Sequence, residues 1–221
     1  MLGFDGMVAA ALLADPPGVR RIIGPTILMG DGSYFDYEDP ESSQMTIEDY
    51  AWGLAGKTRF SSQTRARLLG GRRCLYSVAQ HCVIMARHLE ADGHGPQHAY
   101  AGLMHEGGEV VWGDLPGPAK ILVPEFKAQE KRAERASFAR WRVVMSDPAL
   151  IKRYDLRMLA TEKRDLMPQG ADDEWANAED AAGQIIDQPF DDEITPWALE
   201  AAADIFIVEW ERLSRLAGVQ A

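Results

Sequence analysis

Apolar and polar positions alternate in two regimes along the chain. Up to about residue 45 the pattern is irregular, with one local signal: Thr26-Ile27-Leu28-Met29 and Ser33-Tyr34-Phe35 flank Gly30-Asp31-Gly32. Glycine supplies the positive φ that a tight turn needs, so this stretch predicts a short β-hairpin. Asp39-Pro40 then breaks the chain, and the remaining signals are helical. Thr46 and Asp49 have capping-box spacing and open a helix through Trp52 and Leu54 that stops near Gly56. Ser77 and Gln80 repeat the device. The helix they open runs to about Glu90, with Val78, Ile84 and Met85 on an apolar face of 3.6-residue period. Gly93 to Pro96 end it, and Gln97 to Val111 predict the next helix. Leu115-Pro116-Gly117-Pro118 predicts a rigid loop, and residues 125–144, rich in Ala, Arg, Lys and Glu, a long solvated helix. Asp147-Pro148 is an N-cap followed by proline at the first helical position, for a helix to about Leu166. Residues 168–194 are acidic and punctuated by Gly and Pro, predicting an extended excursion, and Thr195-Pro196 opens a last helix ending before Gly218. The expectation is an all-α fold with a short N-terminal hairpin: residues 1–45 irregular, residues 46–221 a helical domain.

Composition narrows what such a domain does. The 221 residues are 46% hydrophobic and include six Trp, enough for a packed core and against disorder. Lys+Arg number 23 against 34 Asp+Glu, a net charge of −11, which disfavours a broad nucleic-acid surface. A small phosphorylated ligand stays compatible with that charge if a metal supplies positive charge locally. No segment has the roughly 18 unbroken apolar residues of a membrane span, and Met7–Ala14 lacks the basic flank of a signal peptide. Cys74 and Cys82 make neither a disulfide framework nor a CxxC pair, so a reducing cytoplasm is expected. Trp141 and Trp210 on long helices suit a homo-oligomer surface and internal packing equally.

Four features bear chemistry. His81 sits mid-helix among apolar residues, where a lone imidazole ordinarily just packs; His88, near the helix end, suits a cap or surface role. In His105-Glu106-Gly107-Gly108-Glu109, a continuous helix would put His105 and Glu109 on one face and turn Glu106 about 100° away. Both His105 and Glu106 reach one metal only if the helix meets it end-on or tangentially. The glycine pair costs roughly 1 kcal/mol each relative to alanine, which suggests exposed backbone or close approach of a ligand. Gly113-Asp114-Leu115-Pro116-Gly117-Pro118-Ala119-Lys120 follows at once and brings Asp114 and Lys120 within reach. Asp155 shares a helix face with Ile151, Met158 and Leu159, a costly position for a charge unless it is paired or metal-bound. Imidazole and carboxylate together suit Zn, Mn, Fe or Co.

A His, a later His-carboxylate pair and a distant Asp on separate helices resemble the HD-domain metal-dependent phosphohydrolases. The similarity is greatest to the bacterial 5′-deoxynucleotidases and their phage-borne relatives. It is carried by Thr58-Arg59-Phe60, Tyr76-Ser77-Val78-Ala79-Gln80-His81, His105-Glu106-x-x-Glu109, Gly113-Asp114-Leu115-Pro116-x-Pro118-x-Lys120 and Asp155-Leu156-Arg157-Met158-Leu159-Ala160-Thr161-Glu162, within about residues 25–167. The resemblance implies an HD-type helical bundle in which His81, His105, Glu106 and Asp155 ligate one divalent ion (Mn, Co, Zn, Fe or Mg). It further implies Glu109 as general base or acid on the attacking water, Asp114 as a supporting acid, and Arg59, Phe60 and Lys120 as substrate-binding residues. The substrate it implies is a deoxynucleoside 5′-monophosphate or triphosphate such as dATP, with no nucleic-acid polymer and no membrane as partner. Glu106 departs from the family's Asp; the extra methylene moves the carboxylate by more than about 1 Å, beyond the roughly 0.2 Å that metal sites tolerate, unless the backbone retreats. A nucleotide-binding regulator without turnover, or a helical scaffold with no small ligand, are the rival expectations.

Overall fold

The computed structural model describes residues 24–168 and 188–219. The Met7–Ala14 stretch and most of the acidic 168–194 excursion lie outside them. The chain is mostly helical, with a small two-stranded hairpin ahead of the helices.

Strands β1 (Thr26–Leu28) and β2 (Tyr34–Asp36) pair antiparallel with Ile27 opposite Phe35. The hairpin is anchored by its inward aromatics. Phe35 is buried in the common core, and Tyr37 meets Trp112 edge-on at 4.8 Å while its hydroxyl donates to Val111 O.

The predicted caps form. Thr46 Oγ1 accepts from Asp49 N at 3.0 Å and an Asp49 carboxylate oxygen accepts from Thr46 N at 3.3 Å, starting α1 (Ile47–Ala55), which ends at Gly56. A 3₁₀ turn, Arg59–Ser62, and a two-residue ribbon, β3 (Arg65–Ala66) with β4 (Arg72–Arg73), lead to α2 (Val78–Ala91). Ser77 Oγ caps α2 by accepting from Gln80 N at 3.1 Å.

The next helix is shorter than expected. The helix α3 (Pro96–Met104) stops before His105, and one turn, α4 (Glu109–Trp112), follows after the break. The buried Tyr50 hydroxyl donates to Met104 O at 2.8 Å, so a side chain from α1 takes the carbonyl at which α3 ends. The glycines explain the rest of the break. A Cβ on Gly107 would stand 2.4 Å from Ser137 Oγ, and one on Gly108 2.5 Å from the Glu130 carbonyl. They permit close packing against Ser137 and Glu130, and both are buried, which corrects the expectation of exposed backbone.

The proline loop holds a turn of its own, α5 (Gly117–Lys120), with Pro118 supplying helical φ. Next come α6 (Pro124–Arg140), four residues shorter at its end than the composition suggests, and α7 (Pro148–Leu166), capped by Asp147 Oδ1 on Leu150 N at 2.9 Å. The last helix, α8 (Leu199–Leu216), begins later than Thr195-Pro196. The Gln80 amide donates to Thr195 O at 2.8 Å and accepts from Trp197 N at 2.9 Å, which keeps that stretch extended.

The core is made where α2 packs on α3 and α8 closes over α1, α2 and α3, with α7 against α2. Tyr50 stacks on Phe206 at 5.6 Å, and Met85, Leu89, Leu103 and Met158 are fully buried around them. A Cβ on Gly102 would lie 2.4 Å from Leu89 Cδ1, so this glycine sets how closely α3 approaches α2. Trp141 and Trp210 meet each other edge-on at 5.5 Å inside the chain, the internal-packing alternative for these residues. His88 is neither cap nor free surface: it stacks flat on Phe190, centroids 3.7 Å apart, and burial lowers its pKa. Among the described residues no helix is long and apolar enough to cross a membrane.

Candidate metal centre

Three helices deliver the centre. Because Ser77 starts α2, His81 falls one turn inside it, with its side chain wholly buried. The end of α3 presents His105 and Glu106 in the turn after Met104, where the pair meets the centre end-on. Asp155 comes from the second turn of α7. One ligand atom from each of His81, His105, Glu106 and Asp155 lies within 4.8 Å of the other three, so this group could hold a metal ion.

The spacings fit one. His105 Nε2 is 3.4 Å from His81 Nε2 and 3.3 Å from Glu106 Oε1, and Asp155 Oδ1 is 3.5 Å from His81 Nε2 and 4.0 Å from His105 Nε2. Four donors about 2.1 Å from a tetrahedral ion lie about 3.4 Å apart. Glu106 lies in the turn after α3, outside the helix proper, with Oε1 3.3 Å from His105 Nε2.

Hydrogen bonds on the far side of each ring point the same way. His105 Nδ1 donates to Gly102 O at 2.7 Å, and a carbonyl cannot donate back, so in the neutral ring Nε2 carries the lone pair. His81 Nδ1 donates to Glu162 Oε1 at 2.6 Å, with the same consequence. Two bare nitrogens and two carboxylate oxygens thus face a common point, an arrangement that repels itself unless a cation occupies it. Burial opposes charge on His105, but the adjacent Glu106 carboxylate holds its pKa well above the ordinary range. Burial likewise opposes ionisation of Glu106, and His105 outweighs it, bringing the carboxyl down to about 2. Burial of Asp155 is offset by its His81 contact and by Lys152, which donates to Oδ2 at 2.7 Å, so its pKa falls well below normal.

The remaining predicted site residues fall into two groups. Arg59 belongs to the centre: its Nε donates to Glu162 Oε2 at 3.1 Å and its Nη1 lies 3.9 Å from Glu106 Oε1. Burial works against its charge, and Glu162, Asp114 and Glu106 more than compensate. Phe60 lies under the Arg59 guanidinium at 5.5 Å and opens a run of left-handed residues, Phe60, Ser61 and Ser62 with φ of 55°, 50° and 61°. Such a run in non-glycine residues is strained and persists only where its surroundings impose it. Glu109 and Asp114 stand beside the ligand group. Burial raises the Glu109 pKa well above normal, and the Glu106 and Asp114 charges raise it further; burial, then Glu106 and Glu162, raises Asp114 against the pull of Arg59. Since α3 ends at Met104, His105 and Glu109 do not share a continuous helix face, contrary to the sequence reading. The Lys120 ammonium donates to Glu130 at 2.7 Å and to Glu109 at 3.3 Å, which places it beside Glu109.

One residue of the centre received no role from the sequence. Glu162 is wholly buried and touches both His81 and Arg59. Its signal was its spacing: seven residues after Asp155 on α7 it lies two turns along on the same face.

Comparison with known proteins places the chain. No family model matches it. The uncharacterized protein YfdR of Escherichia coli K12 is 34% identical over 145 residues, 64% of this chain and 71% of that protein. The chain belongs to the YfdR family. A second relative, the uncharacterized protein RCAP_rcc00048 of Rhodobacter capsulatus, is 30% identical over 128 residues, 57% of this chain and 62% of its own length. What this YfdR-family member can do chemically follows from its donor set: nitrogen and oxygen groups that could hold a borderline or hard divalent ion, with the Arg59 guanidinium and the Glu109 and Asp114 carboxyls, their pKa values raised by burial, alongside.

Proposed function

We propose that this chain is a divalent-metal-dependent phosphohydrolase of the HD type, acting on deoxynucleoside 5′-monophosphates or triphosphates. The observation that carries the reading is the convergence of the His81 and His105 Nε2 atoms with carboxylate oxygens of Glu106 and Asp155, while Arg59 lies 3.9 Å from the Glu106 carboxylate. The donor chemistry fits Mn, Co, Zn, Fe or Mg, with no thiolate in the set. When bound, a divalent ion supplies Lewis acidity toward a phosphoryl oxygen and toward water.

The chain's own groups divide the rest of the work. The second guanidinium edge of Arg59, not engaged by Glu162, meets phosphate charge, with the bidentate geometry that lysine lacks. Glu109 handles the proton. Its Oε1 accepts from Lys120, while Oε2 is buried without a hydrogen-bond partner among the described residues, and burial raises its pKa well above the ordinary carboxyl range, which favours holding a proton. Asp114 supports this by its charge, and Lys120 limits how far the pKa climbs. Glu109→Gln is therefore expected to lower kcat by about 10²–10⁴ with Mn²⁺ affinity retained, as read by steady-state kinetics beside calorimetric titration.

The test of the whole reading is a panel of purified protein with Mn²⁺, Co²⁺ or Mg²⁺ against deoxynucleoside mono- and triphosphates, scoring phosphate and triphosphate release. Metal-dependent release supports the hydrolase and identifies which ester bond is cut. Nucleotide binding without turnover would replace it with the regulator, and neither binding nor turnover with the scaffold.

A further inference from the structure

We infer that Glu162 is the positioning residue of this centre: one buried carboxylate whose two oxygens aim His81 and Arg59 at the same point. The inference rests on the metal-site reading above.

Glu162 is wholly shielded from solvent, and an ionised carboxylate in that position is costly unless every oxygen is engaged. Both are. Oε1 accepts from His81 Nδ1 at 2.6 Å, the short length of a charge-assisted bond, and Oε2 accepts from Arg59 Nε at 3.1 Å. The first bond keeps the proton on Nδ1 and turns the Nε2 lone pair toward His105, Asp155 and Glu106. The second fixes the plane of the guanidinium. With Nε committed, Nη1 reaches to 3.9 Å of Glu106 Oε1, so the Nη edge of Arg59 lies along the ligand group.

The segments joined in this way are far apart in sequence: 81 residues separate Glu162 from His81 and 103 from Arg59. Glu162 and Asp155 share one face of α7, with about 10.5 Å of axial rise between them. One helix therefore supplies a ligand and, two turns on, the group that orients another ligand and the phosphate-facing cation. If the Arg59–Glu162 pair served the core alone, its loss would lower thermal stability without altering metal binding or the proton position on His81.

The test compares the full-length wild type with Glu162→Gln. Calorimetric titration with Mn²⁺ is expected to show affinity lowered 10–100-fold in the variant, the usual cost of losing an outer partner of a ligating histidine. At saturating Mn²⁺, inorganic phosphate is expected to bind roughly tenfold more weakly, because Arg59 has lost a charged hydrogen-bond partner. Nitrogen-15 spectra of the Zn²⁺-loaded wild type should show His81 protonated at Nδ1 with the metal on Nε2. Unchanged Mn²⁺ affinity in a folded variant overturns the inference, and so does a His81 that binds metal through Nδ1. Should Glu162→Gln fail to fold, the wild-type spectrum decides by the same criterion. A wild type that binds no Mn²⁺ overturns this inference and the proposed function together. Metal binding with the expected dependence on Glu162, but without turnover of any deoxynucleotide, overturns the function alone.

Discussion

Replacing His105 with alanine is expected to reduce Mn²⁺ affinity by more than the 10–100-fold typical of losing an outer-sphere partner, and to abolish metal-dependent phosphate release. Its Nε2 is the atom closest to the rest of the ligand group, 3.3 Å from Glu106 and 3.4 Å from His81, and its ring is aimed by the Gly102 carbonyl at 2.7 Å. Removal leaves two carboxylates facing each other across a gap with fewer neutralising groups. A second effect follows without metal. The depressed Glu106 pKa of about 2 owes most of its lowering to His105, so in His105→Ala the Glu106 carboxyl should titrate closer to its ordinary 4.5 or above, given its burial. The sign for stability follows. A carboxyl whose folded pKa lies below its unfolded value stabilises above the unfolded pKa and loses that contribution as pH falls toward the folded one. Wild type should therefore keep this contribution from neutral pH down to about 4.5 and lose it between there and about 2, while the variant lacks it throughout. Calorimetric titration, an activity assay and melting curves at stepped pH read the three outcomes. Retained affinity in His105→Ala would remove this residue from the centre.

Gly108→Ala is expected to destabilise the fold by about 1–3 kcal/mol through overpacking, a fall in Tm of roughly 2–12 °C for a chain of this size. The new Cβ would lie 2.5 Å from the Glu130 carbonyl oxygen and 3.2 Å from its carbon, and helix backbone cannot swing aside as a side-chain end can. Gly108 has ordinary right-handed helical torsions, φ −69° and ψ −35°, so the cost comes from space and not from conformation. The turn that would have to shift carries Glu106, so metal affinity is expected to fall along with stability. Gly117→Ala is the control. Nothing lies within 4 Å of a Cβ there, and its Tm should match wild type. Equal melting temperatures for both variants would show that α6 does not press on the turn as described.

These cases separate what was legible along the chain from what was not. The capped helices were readable because Thr46, Ser77 and Asp147 each act on a backbone amide three residues away, and a local bond leaves a local pattern. The inward Asp155 was readable for the same kind of reason, as a charge on an apolar helical face. The break after Met104 was not, since the groups that meet it come from far along the chain: the Tyr50 hydroxyl, 54 residues earlier, on the Met104 carbonyl, and Glu130 and Ser137 against the two glycines. The late start of α8 was hidden likewise by Gln80, over 100 residues away. Gly107 and Gly108 stood out in the sequence, but what they make room for lies on α6.

By itself the sequence determined the helical character, the hairpin and most helix starts, because helical period and capping are short-range; His81, His105, Glu106 and Asp155 stood out as one ligand set only through the motifs that resemble a known family. Only the tertiary structure decided that those four meet with both Nε2 atoms turned to a common point, that Glu162 stands behind His81 and Arg59, and that Lys120 contacts Glu109 and Glu130. Those outcomes depend on which helix faces are buried against each other, and long-range packing writes no periodic mark on the chain.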